Sequence, residues 1–292
     1  MKSAVIVDST AYLNEEWLAQ HPHVYQIDLS VTFHNGDVFR DTSNPQLLHD
    51  FYTRLKHETS LPTTSQPQPG EYMALLDQLV AEGYEVVYCI HLSSQISGTY
   101  QTACMLVEDY QDRLQTYVID SGSSCMVMAE LVRRALTWIE AGVTPELIYQ
   151  RLSWSAEHSD IYLMVEDLNN LAKGGRLSSA SALLGGLLQI RPLLHFDQGQ
   201  IVLSEKIRTT KKVLKRMVEL IEEWEARYPQ GVSVGVGNIE AMAEMQLLVE
   251  LIAERYPNLV VHECIIGPVV GTHTGIGTKG IGIVPLLPAE LA

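Results

Sequence analysis

Hydroxyl side chains crowd around a glycine in Ser93-Ser94-Gln95-Ile96-Ser97-Gly98-Thr99-Tyr100, directly after the apolar run Val86-Val87-Tyr88-Cys89-Ile90-His91-Leu92. The run is rich in β-branched and aromatic residues and reads as a buried strand; residues 100–110 read as a helix. Hydroxyls and unsatisfied backbone amides at a helix start, where the dipole favours negative charge, form a cradle for a small anion. Capping by Ser94 or Ser97 accounts for the same residues, so other segments must decide. His273 stands in a run with five glycines from Gly267 to Gly280, where the backbone can turn tightly and approach a ligand. Arg176 follows Gly174-Gly175, although a charge at a helix C-terminus is the ordinary reading of such an arginine. Thr63, Thr64 and Ser65 lie on a stretch whose three prolines, Pro62, Pro67 and Pro69, predict a stiff loop without regular structure. His91, inside a strand, reads as a satisfied core residue.

The elements that must carry these groups alternate. Strands are predicted at residues 3–7, 24–33, 85–92 and 115–119, and three of them close on polar clusters, including Asp8-Ser9-Thr10 and Asp120-Ser121-Gly122. Asn35-Gly36 predicts a hairpin turn, and Asn44-Pro45 the start of a helix. Short strands alternating with helices imply a parallel α/β sheet with its ligand edge at the strand C-termini. A first domain over residues 1–158 follows from this rhythm. The second domain, residues 159–292, has a mixed sheet: a strand at 160–165, an apolar helix at 178–188, a hairpin of 190–196 with 200–207, and strands at 232–236, 259–265 and 280–286 among helices at 209–227 and 239–256. The fold class is therefore α/β in two domains packed directly on one another.

Composition narrows the function. The 292 residues are 46% hydrophobic and 19% charged, with 35 acids against 20 bases and a net charge of −15. Nucleic acid and anionic membrane are poor partners for the molecule as a whole. The four cysteines, Cys89, Cys104, Cys125 and Cys264, lack metal-ligand spacing and sit in apolar segments, which predicts free thiols, no metal and a reducing compartment. Without a signal-peptide pattern or a run of roughly 20 apolar residues, a cytoplasmic location is expected. The Gly275-Ile276-Gly277 pattern does not follow a βα turn and is not a dinucleotide motif. A Ser–His–Asp arrangement of Ser97, His273 and Asp120 stays open, although no G-x-S-x-G elbow is present.

Seven motifs run in register: Asp8-Ser9-Thr10, Thr64-Ser65-Gln66-Pro67, Ser97-Gly98-Thr99-Tyr100, Asp120-Ser121, Gly174-Gly175-Arg176, Arg191-Pro192 and Gly271-Thr272-His273-Thr274-Gly275. In this order they resemble the DegV family over nearly the whole chain. The resemblance implies two α/β domains of DegV type with a long-chain fatty acid held between them and no other cofactor. It also implies a non-catalytic subunit that presents the carboxylate to a separate ATP-binding fatty acid kinase, which makes the acyl-phosphate for phospholipid synthesis, with transient membrane contact for lipid exchange. The carboxylate-binding residues it implies are Thr64, Ser65, Ser97 and His273. Arg176 would stand at the mouth, and Arg208, in the basic segment 206–216, beside it as a kinase-docking residue. Ile276 replaces a usual proline, implying a looser loop, and Gln95 a usual glycine, implying an altered pocket floor. The alternative is a stand-alone acyl hydrolase or phosphotransferase using Ser97 and His273.

Overall fold

The computed structural model describes residues 1–178 and 190–292. The first seven strands are β1 (Ser3–Asp8), β2 (Val24–Ile27), β3 (Ser30–Thr32), β4 (Val38–Arg40), β5 (Thr63–Ser65), β6 (Val86–His91) and β7 (Gln115–Asp120). Strands β2-β1-β6-β7 form a wholly parallel sheet. Every residue of β6 is buried, as are Ala4 through Val7 of β1, so these strands read as unbroken apolar runs instead of alternating. The six helices of this half are α1 (Glu15–Gln20), α2 (Pro45–Leu55), α3 (Pro69–Ala81), α4 (Thr99–Glu108), α5 (Cys125–Glu140) and α6 (Pro145–Glu157). The start of α2 follows from its sequence, since the Asn44 side chain accepts from Gln46 N and Leu47 N ahead of a proline in the first turn.

Two expectations are corrected here. The strand predicted over residues 24–33 divides at Asp28-Leu29: β2 joins the parallel sheet, and β3 turns away into a small antiparallel sheet ordered β4-β3-β5. The proline-rich stretch is not wholly irregular, because the prolines flank residues 63–65 and leave three amides free for β5 to pair with β3, Thr64 opposite Val31.

The remaining strands are β8 (Asp160–Met164), β9 (Arg191–Asp197), β10 (Gln200–Ile207), β11 (Val232–Asn238), β12 (Val261–Ile265) and β13 (Lys279–Pro285). They form one mixed sheet in the order β10-β9-β8-β13-β11-β12, in which β11 and β12 pair in parallel and the other neighbours are antiparallel. Helices α7 (Asn169–Lys173), α8 (Thr210–Arg227), α9 (Met242–Arg255) and α10 (Pro268–Thr274) complete the described residues. Apart from Ser178, the helix predicted at 178–188 lies outside them.

The main apolar core sits between the two large sheets. It joins Val5, Val7 and Ile90 of the first sheet to Leu163, Leu194 and Val284 of the second, with α5 between them. A helix so placed buries much of its circumference: Met126, Val127, Met128, Leu131, Val132 and Ala135 are all buried, and the buried Arg134 is paired with Glu130 at 3.0 Å and donates to Pro285 O at 2.7 Å. Smaller clusters cover the outer faces, α3 and α4 on the parallel sheet and α8 and α9 on the mixed one.

Candidate functional site

A cavity of about 370 Å³ opens between the sheets. Its walls are apolar, with Leu92 and Ile96 on one side, Ile161, Leu163, Phe196 and Ile201 on the other, and Val269 and Val270 along α10. Of its polar lining, Ser124, Thr274 and Thr278 donate their hydroxyls to close neighbours, and Thr64, Ser65, Gln66, Ser97, Arg176 and His273 form the remaining polar group.

The pairing of β5 with β3 turns Thr64 inward and leaves Thr63 and Ser65 exposed, the period-2 alternation of a strand. Thr64 Oγ1 meets His273 Nε2 at 2.8 Å. His273 was expected on a glycine loop; it lies instead on α10, where glycines at 267, 271 and 275 flank or interrupt a single short helix. Three side chains from the other half of the molecule hold the start of that helix. Val269 N donates to Asp41 Oδ1 at 3.0 Å, Val270 N donates to the Tyr12 hydroxyl at 3.1 Å, and the Tyr52 hydroxyl donates to Ile266 O at 2.7 Å. Asp41 thus supplies the cap that Gly267 cannot.

Electrostatics at the site follow from burial. Burial, reinforced by the Arg176 charge, lowers the His273 pKa to about 4, so the ring is neutral at pH 7. Its Nδ1 is buried and has no hydrogen-bond partner among the described residues. It faces Gly174, where a β-carbon would lie 2.3 Å from Nδ1, so glycine is required for this close approach. Burial also raises Asp41 to about 7, against the opposing bonds from Val269 N and Ser9 Oγ.

Ser97 precedes Gly98, the N-cap of α4. Its Oγ accepts from Thr99 N at 3.3 Å, and lies 2.9 Å from Thr99 Oγ1 while lining the cavity. Arg176 is half-buried; its Nε donates to Ile96 O at 3.1 Å and a terminal nitrogen donates to Gly174 O, which fastens the 174–176 turn over the Ser97 segment. Burial lowers its pKa.

Thr64, Ser97, Arg176 and His273 therefore converge, with Ser65 at the exposed rim. Arg208 does not join them. Ser178 N donates to Ile201 O, which fixes the Arg176 segment at the beginning of β10, whereas Arg208 is exposed just beyond the strand's other end. Seven residues at about 3.3 Å each separate the two by roughly 23 Å. Gln95 packs against the turn at Gly199 and does not line the cavity, and the loop around Ile276 is held by Gly277 N donating to Ile239 O at 2.9 Å. His91 is the satisfied core residue expected, its nitrogens 3.2 Å from Asp8 Oδ2 and 2.9 Å from the Tyr72 hydroxyl. Asp120 accepts from Ser94 N and Gly122 N and makes no bond to His273. The cysteines are free thiols, and the described residues hold no cluster of metal-binding side chains and no helix long and apolar enough to cross a membrane.

Asp41 went unnoticed in the sequence, as did the glycines of Val234-Gly235-Val236-Gly237 and Gly280-Ile281-Gly282-Ile283, which alternate with β-branched residues at strand period. That alternation was the available signal. For Asp41 there was none, because its partner amide lies 228 residues away.

A family model described as "uncharacterised protein, DegV family" matches residues 2–286. The chain belongs to the DegV family. Protein DegV of Bacillus subtilis is 38% identical over 283 residues, covering 96% of this chain and 98% of that one. Among solved DegV structures, a fatty-acid-binding DegV family protein from Streptococcus agalactiae superposes with a TM-score of 0.89 at 33% identity, covering 98% of this chain and all of that one. DegV from Bacillus subtilis, described as a fatty acid binding protein, superposes at 0.87 with 36% identity and the same coverage.

Proposed function

We propose that the chain buries a long-chain fatty acid in the cavity between its sheets and presents the carboxylate to a separate ATP-dependent kinase that forms the acyl-phosphate. The observation that carries this reading is the cavity's polarity: apolar walls ending in two hydroxyls, a neutral imidazole and a guanidinium. With His273 neutral, Nε2–H can donate to Thr64 Oγ1, which leaves the Thr64 hydroxyl hydrogen free for a carboxylate oxygen. Ser97 supplies a second donor, and Arg176 a nearby positive charge at the mouth; bonds to a charged acceptor are the stronger kind. An anion taken into an apolar cavity requires such partners.

The same geometry favours a carrier over a stand-alone hydrolase or phosphotransferase. His273 bonds Thr64, while Ser97 bonds Thr99, and no carboxylate orients the imidazole, so the nucleophile–base–orienter chain is absent among the described residues. We place the protein in the cytoplasm, with membrane contact confined to lipid exchange. Purified protein, denatured and extracted, should release close to one free fatty acid per chain by mass spectrometry. Acyl-coenzyme A as the main ligand, or turnover of an acyl ester without a partner, would overturn the reading.

A further inference from the structure

Four glycines make a square on two neighbouring strands, and one of them, Gly280, lines the cavity. Gly235 and Gly237 alternate along β11, Gly280 and Gly282 along β13, and the antiparallel register sets Gly235 opposite Gly282 and Gly237 opposite Gly280. The residues alternating with them, Val234, Val236, Ile281 and Ile283, face the opposite way into the core under α8 and α9. The inner face of the sheet is therefore bare backbone at four adjoining positions; Met126 lies against three of them, with Cys264 and Ile266 also beside Gly237, Val127 beside Gly282, and the backbone of Tyr162 and Leu163 beside Gly280. A β-carbon on Gly235 would meet Met126 Cβ at 2.7 Å, one on Gly237 would meet Met126 Sδ at 2.9 Å, and one on Gly282 would meet Met126 Cβ at 3.0 Å. Met126 thus extends along the glycine floor with its sulfur toward Gly237, which neighbours Gly280 at the cavity wall.

Two further observations single out this side chain. Met126 lines the main cavity and also a separate small one of about 10 Å³, bounded by Arg133, Ser233, His262 and Val284 on its far side. It is also delivered by an unusual backbone: Cys125, which precedes it, has φ of 46°, a left-handed conformation rare outside glycine and costly enough to require support from its surroundings. The polar end of the cavity lies apart from this point: Ile266, against the Gly237–Met126 contact, precedes α10, whereas His273 stands near the end of that helix.

We propose that Met126 is the end stop of the acyl channel and determines the chain length accepted. The inference rests on the fatty-acid reading above and specifies its ligand. Methionine suits the role because its unbranched, flexible thioether fills a groove and can shift within it. Removing Cγ, Sδ and Cε opens the glycine floor to roughly two to three more acyl carbons.

Delipidated protein would be loaded from an equimolar ladder of saturated acids, palmitic to behenic, and the retained acids quantified by mass spectrometry. Met126→Ala should move the preferred length up by about two carbons, each extra buried methylene favouring the longer acid about four-fold. Gly237→Ala, whose new methyl would meet both Cys264 Sγ and Met126 Sδ at 2.9 Å and press the methionine toward the cavity, should move it down, and Met126→Leu should keep the wild-type profile. A wild-type profile for Met126→Ala, or a shift of Gly237→Ala toward longer acids, overturns the end stop. Should Met126→Ala fail to fold, Gly237→Ala decides alone, and an unchanged profile there defeats the proposal. Wild-type protein that retains none of the acids defeats the fatty-acid reading itself, a distinct result.

Discussion

The two ends of the cavity are built on opposite principles. At the polar end the functional groups matter, and they arrive from four separated segments, residue 64 on β5, residue 97 before α4, residue 176 after α7 and residue 273 on α10. Long-range hydrogen bonds hold them in place, Thr64 to His273 and Arg176 to Ile96 among them. At the apolar end the missing side chains matter, and they come from two neighbouring strands whose ladder fixes them without further support. Chemistry by assembly tolerates small local shifts, because a hydroxyl or imidazole can rotate; chemistry by absence does not, because backbone has nowhere to go. The sharpest test substitutes one glycine at each end. Gly280→Val places a β-carbon 2.6 Å from Tyr162 O and 3.2 Å from Leu163 Cα, both backbone atoms of a central strand. A loss of about 3 kcal/mol or more in urea unfolding is expected. Gly174→Ala strikes chiefly the His273 ring, with Asn170 O next at 3.0 Å, and should cost less, about 1–2 kcal/mol. Equal losses would erase the distinction.

That difference also governs what could be read from the sequence. Parallel β1 and β6 were legible because strands buried on both faces leave continuous apolar runs, and the Asn35-Gly36 turn and the Asn44 cap announce themselves in two residues each. Thr64, Ser97, Arg176 and His273 were legible one at a time, through hydroxyls and glycines, but their convergence came only through the family resemblance, since it depends on β5 pairing with β3. Arg208 shows the limit from the other side. The resemblance and the basic segment 206–216 placed it beside the mouth, and the length of β10 carries it away. His273 was put on a loop because glycine density argues against helix by propensity, yet contacts from Tyr12, Asp41 and Tyr52 hold seven residues of helix there.

If the polar end orients the carboxylate while the apolar end supplies affinity, substitutions should divide accordingly. Thr64→Ala removes one bond to a charged group, roughly 1.5–3 kcal/mol, and leaves the acyl contacts intact. Retention on purification should fall modestly, and acyl-phosphate formation by a partner kinase should fall further, about ten-fold or more, because a misoriented carboxylate reacts poorly. Ser97→Ala should behave alike. Phosphorylation unaffected by both would mean that the carboxylate lies elsewhere.

Acidification should weaken the polar end selectively. His273 titrates near 4 in the folded protein and near 6.5 when unfolded, so its neutral form favours folding above pH 6.5 and that contribution is lost as pH falls toward 4. At about pH 5.5 the loss is about 1.4 kcal/mol. Asp41 has the opposite sign: its pKa is raised from 3.8 to about 7, so its contribution is complete below about 3.8 and declines as pH rises toward 7. His273→Gln should flatten the acid limb of the stability curve, and Asp41→Asn should raise stability relative to wild type near neutral pH. Urea midpoints measured across pH 4 to 8 separate the two, and an acid limb unchanged in His273→Gln would place the titration on another group.

The smallest effect expected is at Ser65, one residue from Thr64 in a strand where neighbours point to opposite faces. Thr64 turns in to His273, whereas Ser65 pairs with Ser30 across the sheet, is exposed, and touches the cavity only at its rim. Water already solvates its hydroxyl, so removing it takes no bond away from a buried partner. Ser65→Ala should therefore change fatty acid retention less than about two-fold and leave the urea midpoint in place, as surface substitutions usually do. The comparison with Thr64→Ala holds hydroxyl chemistry and chain position nearly constant and varies only the face. Should Ser65→Ala release lipid as readily as Thr64→Ala, the carboxylate would lie at the rim, outside the Thr64–His273 pair, and the polar end would be an open mouth instead of a buried anchor.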